Sequence, residues 1–472
     1  MKANYNKRLA ASLMAAVTLG VTSAGFAPIS ASADDNAFPY AMFAASSAEG
    51  AITVNANYFN LNGDIASNGT VVTGNGNING KKYENAGIDM LFIGDKLTST
   101  YFGSAEPVEF MDISDNNINV NNPVDADENV SLNGNVNINS VIKAGEDIYI
   151  SGNVSNANNT VLYSEFGDII IDSSNVNLTG MVYAPLGNVV INADSINLNN
   201  VVIIADTITL TSNNVNANYS SNYANTAGNT SEESRADYVK KYNSTRMDKD
   251  INDTLDLISE YYTVTPIDAG EYSSLNIMGM FLFDVQQYEV EGYGNLSIMK
   301  TDGMQQMSTI VLTPYNKELP LISTDFMYNG EGRINYVEFY EVCADASDAG
   351  YQQVLGELSV LNDKYSSLMS ITPSSGWYDD IRPLGLYKAT DYHSDDVTSN
   401  MLADSFRITL ENSLNMPELS DEQKAAKHEA VQQYSDNLVD MGGISTDIFK
   451  MAMGVDKTKD FFNNVFFGTA KF

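Results

Sequence analysis

Two patterns of apolar and polar positions divide the chain. From about residue 47 to 217, short runs of β-branched residues alternate with Asn, Ser and Thr, glycines punctuate the turns, and charged residues are sparse. The run 167-GDIIIDSSNVNLTGMVYAP-185 is echoed by 187-GNVVINADSINLNNVVIIA-205, which sets Ile169, Ile170 and Ile171 over Val189, Val190 and Ile191 at a 20-residue step. Looser copies flank them, 145-GEDIYISGNVSN-156 before and 206-DTITLTSNNVNA-217 after. Short strands repeating at this period predict a parallel β-solenoid of right-angled or triangular section, in which a rung hides its apolar side chains only by stacking on its neighbours. The interleaved asparagines are expected to form ladders at the corners, because Asn also tolerates turn conformations.

Beyond residue 217 the rhythm changes. The stretch 218-YSSNYANTAGNTSEES-233 has no apolar period and predicts a polar tether, residues 218–234. Residues 235–261 carry Tyr238, Tyr242, Ile251, Leu255 and Ile258 as an intermittent helical stripe. Strand-like runs follow at 276–292, 295–301, 307–314, 320–328 and 334–342, the last two joined by the turn 329-NGEGR-333. Helical spacing returns at 350–368 and 398–414. Ser420 and Gln423 form a capping box ahead of 421–441, closed by Gly442 and Gly443, and two shorter helices span 446–454 and 456–468. The fold class expected is therefore multidomain. A solenoid over residues 34–217 precedes a three-layer α/β/α sandwich over 235–472, whose central sheet is an antiparallel meander.

Charge and composition narrow the function. The 472 residues hold 25 Lys and Arg against 60 Asp and Glu, a formal charge of −35, which repels nucleic acid and anionic membrane faces. Lys7 and Arg8, the apolar stretch 9–27 and Ala31-Ser32-Ala33 read as a signal peptide over residues 1–33. No later run reaches the roughly 20 apolar residues of a membrane span, so the expected product is secreted or held at the cell surface. A single cysteine, Cys343, excludes an internal disulfide, and two histidines, His393 and His428, leave little room for a zinc hydrolase or a Ser-His-Asp site. No flavin, nicotinamide or metal motif is present. Carboxylates do not repeat on one solenoid face as a glycosidase would need, so that module is expected to be a spacer or a scaffold for cell-wall or surface contact.

One residue stands out chemically. Asp325 sits in the apolar run 318-ELPLISTDFM-327, where a buried carboxylate requires a partner, a proton or a bound ligand. The bland account is an edge-strand carboxylate that bonds backbone. With 319-LPLISTDFM-327, the stretches 377-WYDDIRPLGLY-387 and 428-HEAVQQY-434 through 446-TDIFKMAMGVDKTKDFFNNVFFG-468 make the second domain similar to the ferredoxin-dependent bilin reductases. The solenoid, through phrases such as 179-TGMVYAPLG-187, resembles modules of surface proteins from Gram-positive anaerobes.

The reductase resemblance implies an enzyme that reduces a linear tetrapyrrole with no bound cofactor, drawing electrons from an external low-potential, ferredoxin-like protein. It places Asp325 at the aspartate that points into the bilin pocket and takes part in protonating the pigment. Two positions often held by a glutamate and a histidine fall near Ser297 and Thr309, which are then pocket residues without a relay function. Asp440, about two positions off a second aspartate of the family, is the candidate second acid. Residues 231–472 carry 18 basic and 39 acidic residues, a charge of −21 that would repel an acidic ferredoxin. Three readings follow: a secreted bilin reductase, a protein that captures a tetrapyrrole without turning it over, and a surface adhesin.

Overall fold

The computed structural model describes residues 38–228, 231, 233–277, 281–442 and 444–472; the expected signal peptide lies outside them. The chain forms two compact units that divide between Tyr238 and Val239.

The first unit contains a parallel β-solenoid of about seven turns. Ile148 stacks on Ile169, Ile150 on Ile171 and Val130 on Ile148, and the inward side chains Leu132, Ile150, Ile171, Val189 and Ile191 have no exposed surface. The rungs are not stacked in chain order. Strand Ile52–Asn62 lies on the last rung, with Ile52 opposite Ile208 and Asn62 opposite Asn218, and Val71–Thr73 and Gly76–Asn79 stack on it in turn. At the other end of the stack, Met111–Val120 pairs with Val130–Ile138. The chain therefore builds the far end first, crosses through residues 84–110, and winds back toward its start. The repeat period does not encode this, because any rung with the same inward pattern can accept any other.

The expected corner ladders are present. Asn79 donates to Asn62 (3.1 Å), Asn62 to Asn218 (2.7 Å) and Asn218 to Asn199 (3.1 Å), a continuous column across four rungs. A carboxamide both donates and accepts, so each member satisfies the next. Replacing Asn218 with Ala breaks two of these exposed bonds and is expected to cost about 1 kcal/mol in denaturant unfolding. The stretch expected as a tether instead holds a helix, Ser221–Ala227. Further along it, the Ser231 hydroxyl accepts from the Phe92 N–H and donates to the Met90 carbonyl.

The second unit is an eight-stranded antiparallel sheet with helices on both faces. Its strands are β1 (Val264–Ile267), β2 (Ser274–Ile277), β3 (Phe281–Val290), β4 (Gly294–Asp302), β5 (Gln306–Pro314), β6 (Leu321–Asn329), β7 (Gly332–Tyr340) and β8 (Leu384–Asp391). They run β1-β3-β4-β5-β6-β7-β8 across the sheet, with β2 also on β3. The longer helices are α1 (Arg235–Tyr261), α2 (Ala349–Ser359), α3 (Asp395–Asn415), α4 (Asp421–Asp440), α5 (Ile444–Met453) and α6 (Val455–Phe461). Ser420 caps α4 through the anticipated box, its hydroxyl accepting from the Gln423 N–H while the Gln423 side chain accepts from the Ser420 N–H. Strands β1 and β8 are additions to the sequence reading; in β8 a buried Lys388 interrupts the alternation that marks a strand.

One face of the sheet packs Ile310, Ile322, Phe326, Val337 and Phe339 against Met247, Ile251, Val354, Met401 and Phe406 of α1, α2 and α3. A buried ionic network pins this face. The Arg333 guanidinium donates twice to Asp395, at 2.8 and 2.9 Å, and lies over the rings of Tyr328 and Tyr242, while Tyr242 donates to Asp395 at 2.8 Å. Nearby, Arg246 bonds Asp396 (2.8 Å) and Tyr328 donates to Asp250 (3.1 Å), whose carboxyl burial pushes up to about 6. None of this was visible in the sequence, since its members come from α1, β6, β7 and α3.

Candidate functional site

The opposite face is covered unevenly. Over β3 to β5, the side chains Phe283, Val285, Met299 and Val311 are buried beneath Val431, Phe449, Phe461, Phe462 and Phe467 of the C-terminal helices and the turn after them. Over β6 to β8 the covering thins. Ser323, Asp325, Met327, Ile334, Tyr336, Glu338 and Tyr387 all point to this face and all are half-buried, whereas their strand neighbours on the other face, Thr324, Phe326, Val337 and Leu386, are closed off. Such alternation within single strands leaves this face of β6 to β8 less covered than the other.

Asp325 lies on that face. It stands opposite Thr309 on β5 and Tyr336 on β7, and the Thr309 hydroxyl donates to its Oδ1 at 2.6 Å. The residue as a whole is half-buried on this less covered face, and its carboxyl is deep enough in the protein for burial to dominate its titration. Burial raises it to about 7; the Thr309 bond opposes this, and the negative charge of Glu338 adds to it. An aspartic acid that holds its proton near neutrality can donate it, as an ordinary aspartate of pKa about 3.9 cannot.

Around it stand groups that the sequence reading did not single out. Glu338 is the diagonal neighbour of Asp325 on the same face and accepts from Arg382 (2.5 Å) and Tyr340 (2.7 Å). Arg382 also donates to Asp379 (2.6 Å) and lies over the rings of Tyr378 and Tyr387, 5.0 and 5.4 Å from their centroids. Gly385, opposite Glu338, makes room for this: a Cβ there would sit 2.2 Å from the Tyr387 hydroxyl. Trp377 packs against Tyr434, and its indole N–H donates to the Gly442 carbonyl. This face thus brings together an acid, a cation already shared between two carboxylates, and the aromatic rings stacked on that cation. The stretch 377-WYDDIRPLGLY-387 was the signal that could have located it. What hid the constellation was the distance in sequence between Glu338 and Arg382.

The four residues expected at the site separate. Thr309 and Asp325 are in contact. Ser297 shares their sheet face through β4 and β5 but has no exposed surface, and its hydroxyl donates to the Phe466 carbonyl at 2.8 Å, so the C-terminal turn closes it off from a ligand. Asp440 ends α4 in the open, its side chain 61% exposed and 3.1 Å from the Lys459 ammonium. The structure does not bring it to Asp325, whose charged neighbour is Glu338. His428 bonds the Thr469 carbonyl.

The raised carboxyl has a consequence for stability. Between about pH 4 and 7 the folded chain keeps a proton on Asp325 that the unfolded chain has released, so the Asp325 contribution is most favourable at the acid end and is lost as pH rises through about 7. Asp250 acts in the same direction below about 6. Unfolding free energies measured from pH 4 to 8 are therefore expected to fall less steeply for Asp325→Asn than for the wild type.

No family model matches the sequence, and no curated protein matches it. Among solved structures the chain is similar to the crystal structure of phytochromobilin synthase from tomato in complex with biliverdin, with a TM-score of 0.42 and 16% identity, covering 48% of this chain and 84% of that one. No helix among the described residues is long and apolar enough to cross a membrane.

Proposed function

We propose that the C-terminal domain binds an open-chain tetrapyrrole against the uncovered face of β6 to β8, and that Asp325 protonates the pigment as an external low-potential donor reduces it. The observation that carries this reading is the Asp325 carboxyl, held near neutrality on the less covered face of the sheet, beside Glu338, Arg382 and the rings of Tyr378 and Tyr387. A conjugated pigment gains basicity at carbon or nitrogen as it takes up electrons, and each such step consumes a proton that a nearby acid must supply. Arg382, whose partner Asp379 is exposed, is positioned to exchange that partner for a carboxylate on the pigment. The residue-level resemblance to the bilin reductases agrees with this chemistry. With the signal peptide expected from the sequence, and its solenoid, the protein is proposed to work outside the cell or on its surface, where the electron donor must also be found.

Capture without turnover is the second reading. The location of Asp440 favours it, since the acid nominated for a second protonation stands in open solvent. Titrating biliverdin into the purified chain, then adding a chemical reductant with a low-potential mediator, separates the two. A shifted absorption band that bleaches on reduction supports the reductase. A shift without bleaching supports capture, and an unchanged spectrum removes both.

A further inference from the structure

The solenoid stack ends in unpaired strands, and its two ends differ. Among the described residues, Val71–Thr73 and Gly76–Asn79 pair only with Ile52–Asn62 at one end, and Met111–Val120 pairs only with Val130–Ile138 at the other. A strand inside the stack, such as Ile148–Ser164, is paired on both sides. Each terminal strand therefore turns backbone N–H and C=O groups outward, a template for one more strand. Of these, the Val71 N–H is met by the Glu84 carboxylate at 2.7 Å. Large apolar side chains are also exposed there, Val72 at the first end and Val108 and Phe110 at the second. A solenoid that stops in solution ordinarily closes its last rungs with a polar cover.

The asparagine columns give the stack a direction. Asn77 stands opposite Asn60 and Asn60 opposite Asn216, while Asn216 donates to Asn197 (3.4 Å) and Asn197 to Asn177 (3.1 Å). Leu178, Ala157, Ile138 and Val120 stand in line on successive rungs, so the column formed by the residue before each of them ends at Asn119, which accepts from Asn137 at 3.2 Å. The neighbouring column starts at Asn79 and ends at Asn121, which accepts from Asn139 at 3.1 Å. All of these bonds donate away from the Asn79 end. Among the described residues the Asn79 carboxamide oxygen accepts no bond, and the amide groups of Asn119 and Asn121 donate none. One end thus offers acceptors and the other donors, in matching columns. Charge agrees with this polarity. Residues 71–83 carry Lys81 and Lys82 and no acid, Lys82 sharing Glu84 at 3.0 Å, whereas residues 104–128 hold seven acids and no base.

From these observations we infer that the solenoid binds a second copy of this chain head to tail. Met111–Val120 of one copy adds to Val71–Thr73 and Gly76–Asn79 of the next, Asn119 and Asn121 donate to Asn77 and Asn79, and Lys81 and Lys82 meet the acidic end. Two like ends would instead set acid against acid, or donor against donor. The contact joins different surfaces and continues the stack along its own axis, so its repetition builds a filament and not a closed dimer.

The test is sedimentation velocity of the intact chain over a concentration series, with electron microscopy of the same samples. The expected result is a sedimentation coefficient that rises with concentration, less steeply at high salt, and unbranched filaments in the micrographs. Two charge-reversed variants alter exposed side chains alone: Lys81→Glu with Lys82→Glu at one end, and Glu109→Lys with Asp112→Lys at the other. Each should raise the concentration at which assembly begins by about tenfold or more, because its two ends then carry like charge. Mixed one to one, the variants should assemble again, since every end now meets one of opposite sign, and this recovery also shows that neither variant lost its fold. A wild-type chain that stays monomeric throughout overturns the inference. So does assembly that both variants retain, or a mixture that remains monomeric.

Discussion

Replacing Asp325 with Asn is expected to slow pigment reduction at pH 7 on the order of 100-fold or more, while leaving pigment affinity within about tenfold. The amide keeps the size of the acid and can still accept from Thr309, so the surrounding packing should be preserved. What is lost is the proton. In the wild type burial, and then the Glu338 charge, raise the carboxyl to about 7, and the rate should fall as pH climbs past that value. The variant should show a flat, low rate across the same range. Stopped-flow absorption of the pigment band, followed in single turnovers, gives the rate and its pH profile. A variant that reduces pigment as fast as the wild type would remove Asp325 from the chemistry.

The largest structural effect is expected at Asp395. Truncating it to Ala leaves the Arg333 guanidinium buried without its two strongest acceptors, and breaking a buried ion pair from one side typically costs about 3–5 kcal/mol. For a domain whose total stability is about 5–15 kcal/mol, that is a large share. Calorimetry should show a melting temperature lowered by several degrees or more, at roughly 2–4 °C per kcal/mol for a unit of this size. Removing both partners, as Arg333→Leu with Asp395→Leu, should restore part of the loss, because no uncompensated charge then remains. If the single and double variants melt together, the network is not what holds α3 to the sheet.

The two domains differed in how much of their physics lies in local sequence. Stacked rungs repeat their own pattern, so the solenoid, its 20-residue step and its asparagine ladders were legible from residues such as Ile169 to Ile171 over Val189 to Ile191. The order of stacking was not, because the contact between Ile52 and Ile208 is written in no local pattern. In the sandwich, caps and alternation located most elements, while β8 escaped through its buried Lys388. The site was half legible. An acid in an apolar run announces its own desolvation, and Thr309 sits where Asp325 needs a donor. Glu338 and Arg382 meet only once β7 and the turn before β8 are folded together, and Ser297 fails only because the chain's last turn covers it.

The central claim is that Asp325 is a neutral acid facing a pigment. Isotope-edited infrared spectroscopy of its carboxyl stretch, titrated from pH 4 to 9 with and without biliverdin, tests it directly. A midpoint near 7 that moves when the pigment is added is the result expected. A carboxylate already ionised at pH 5 and indifferent to biliverdin would contradict the account.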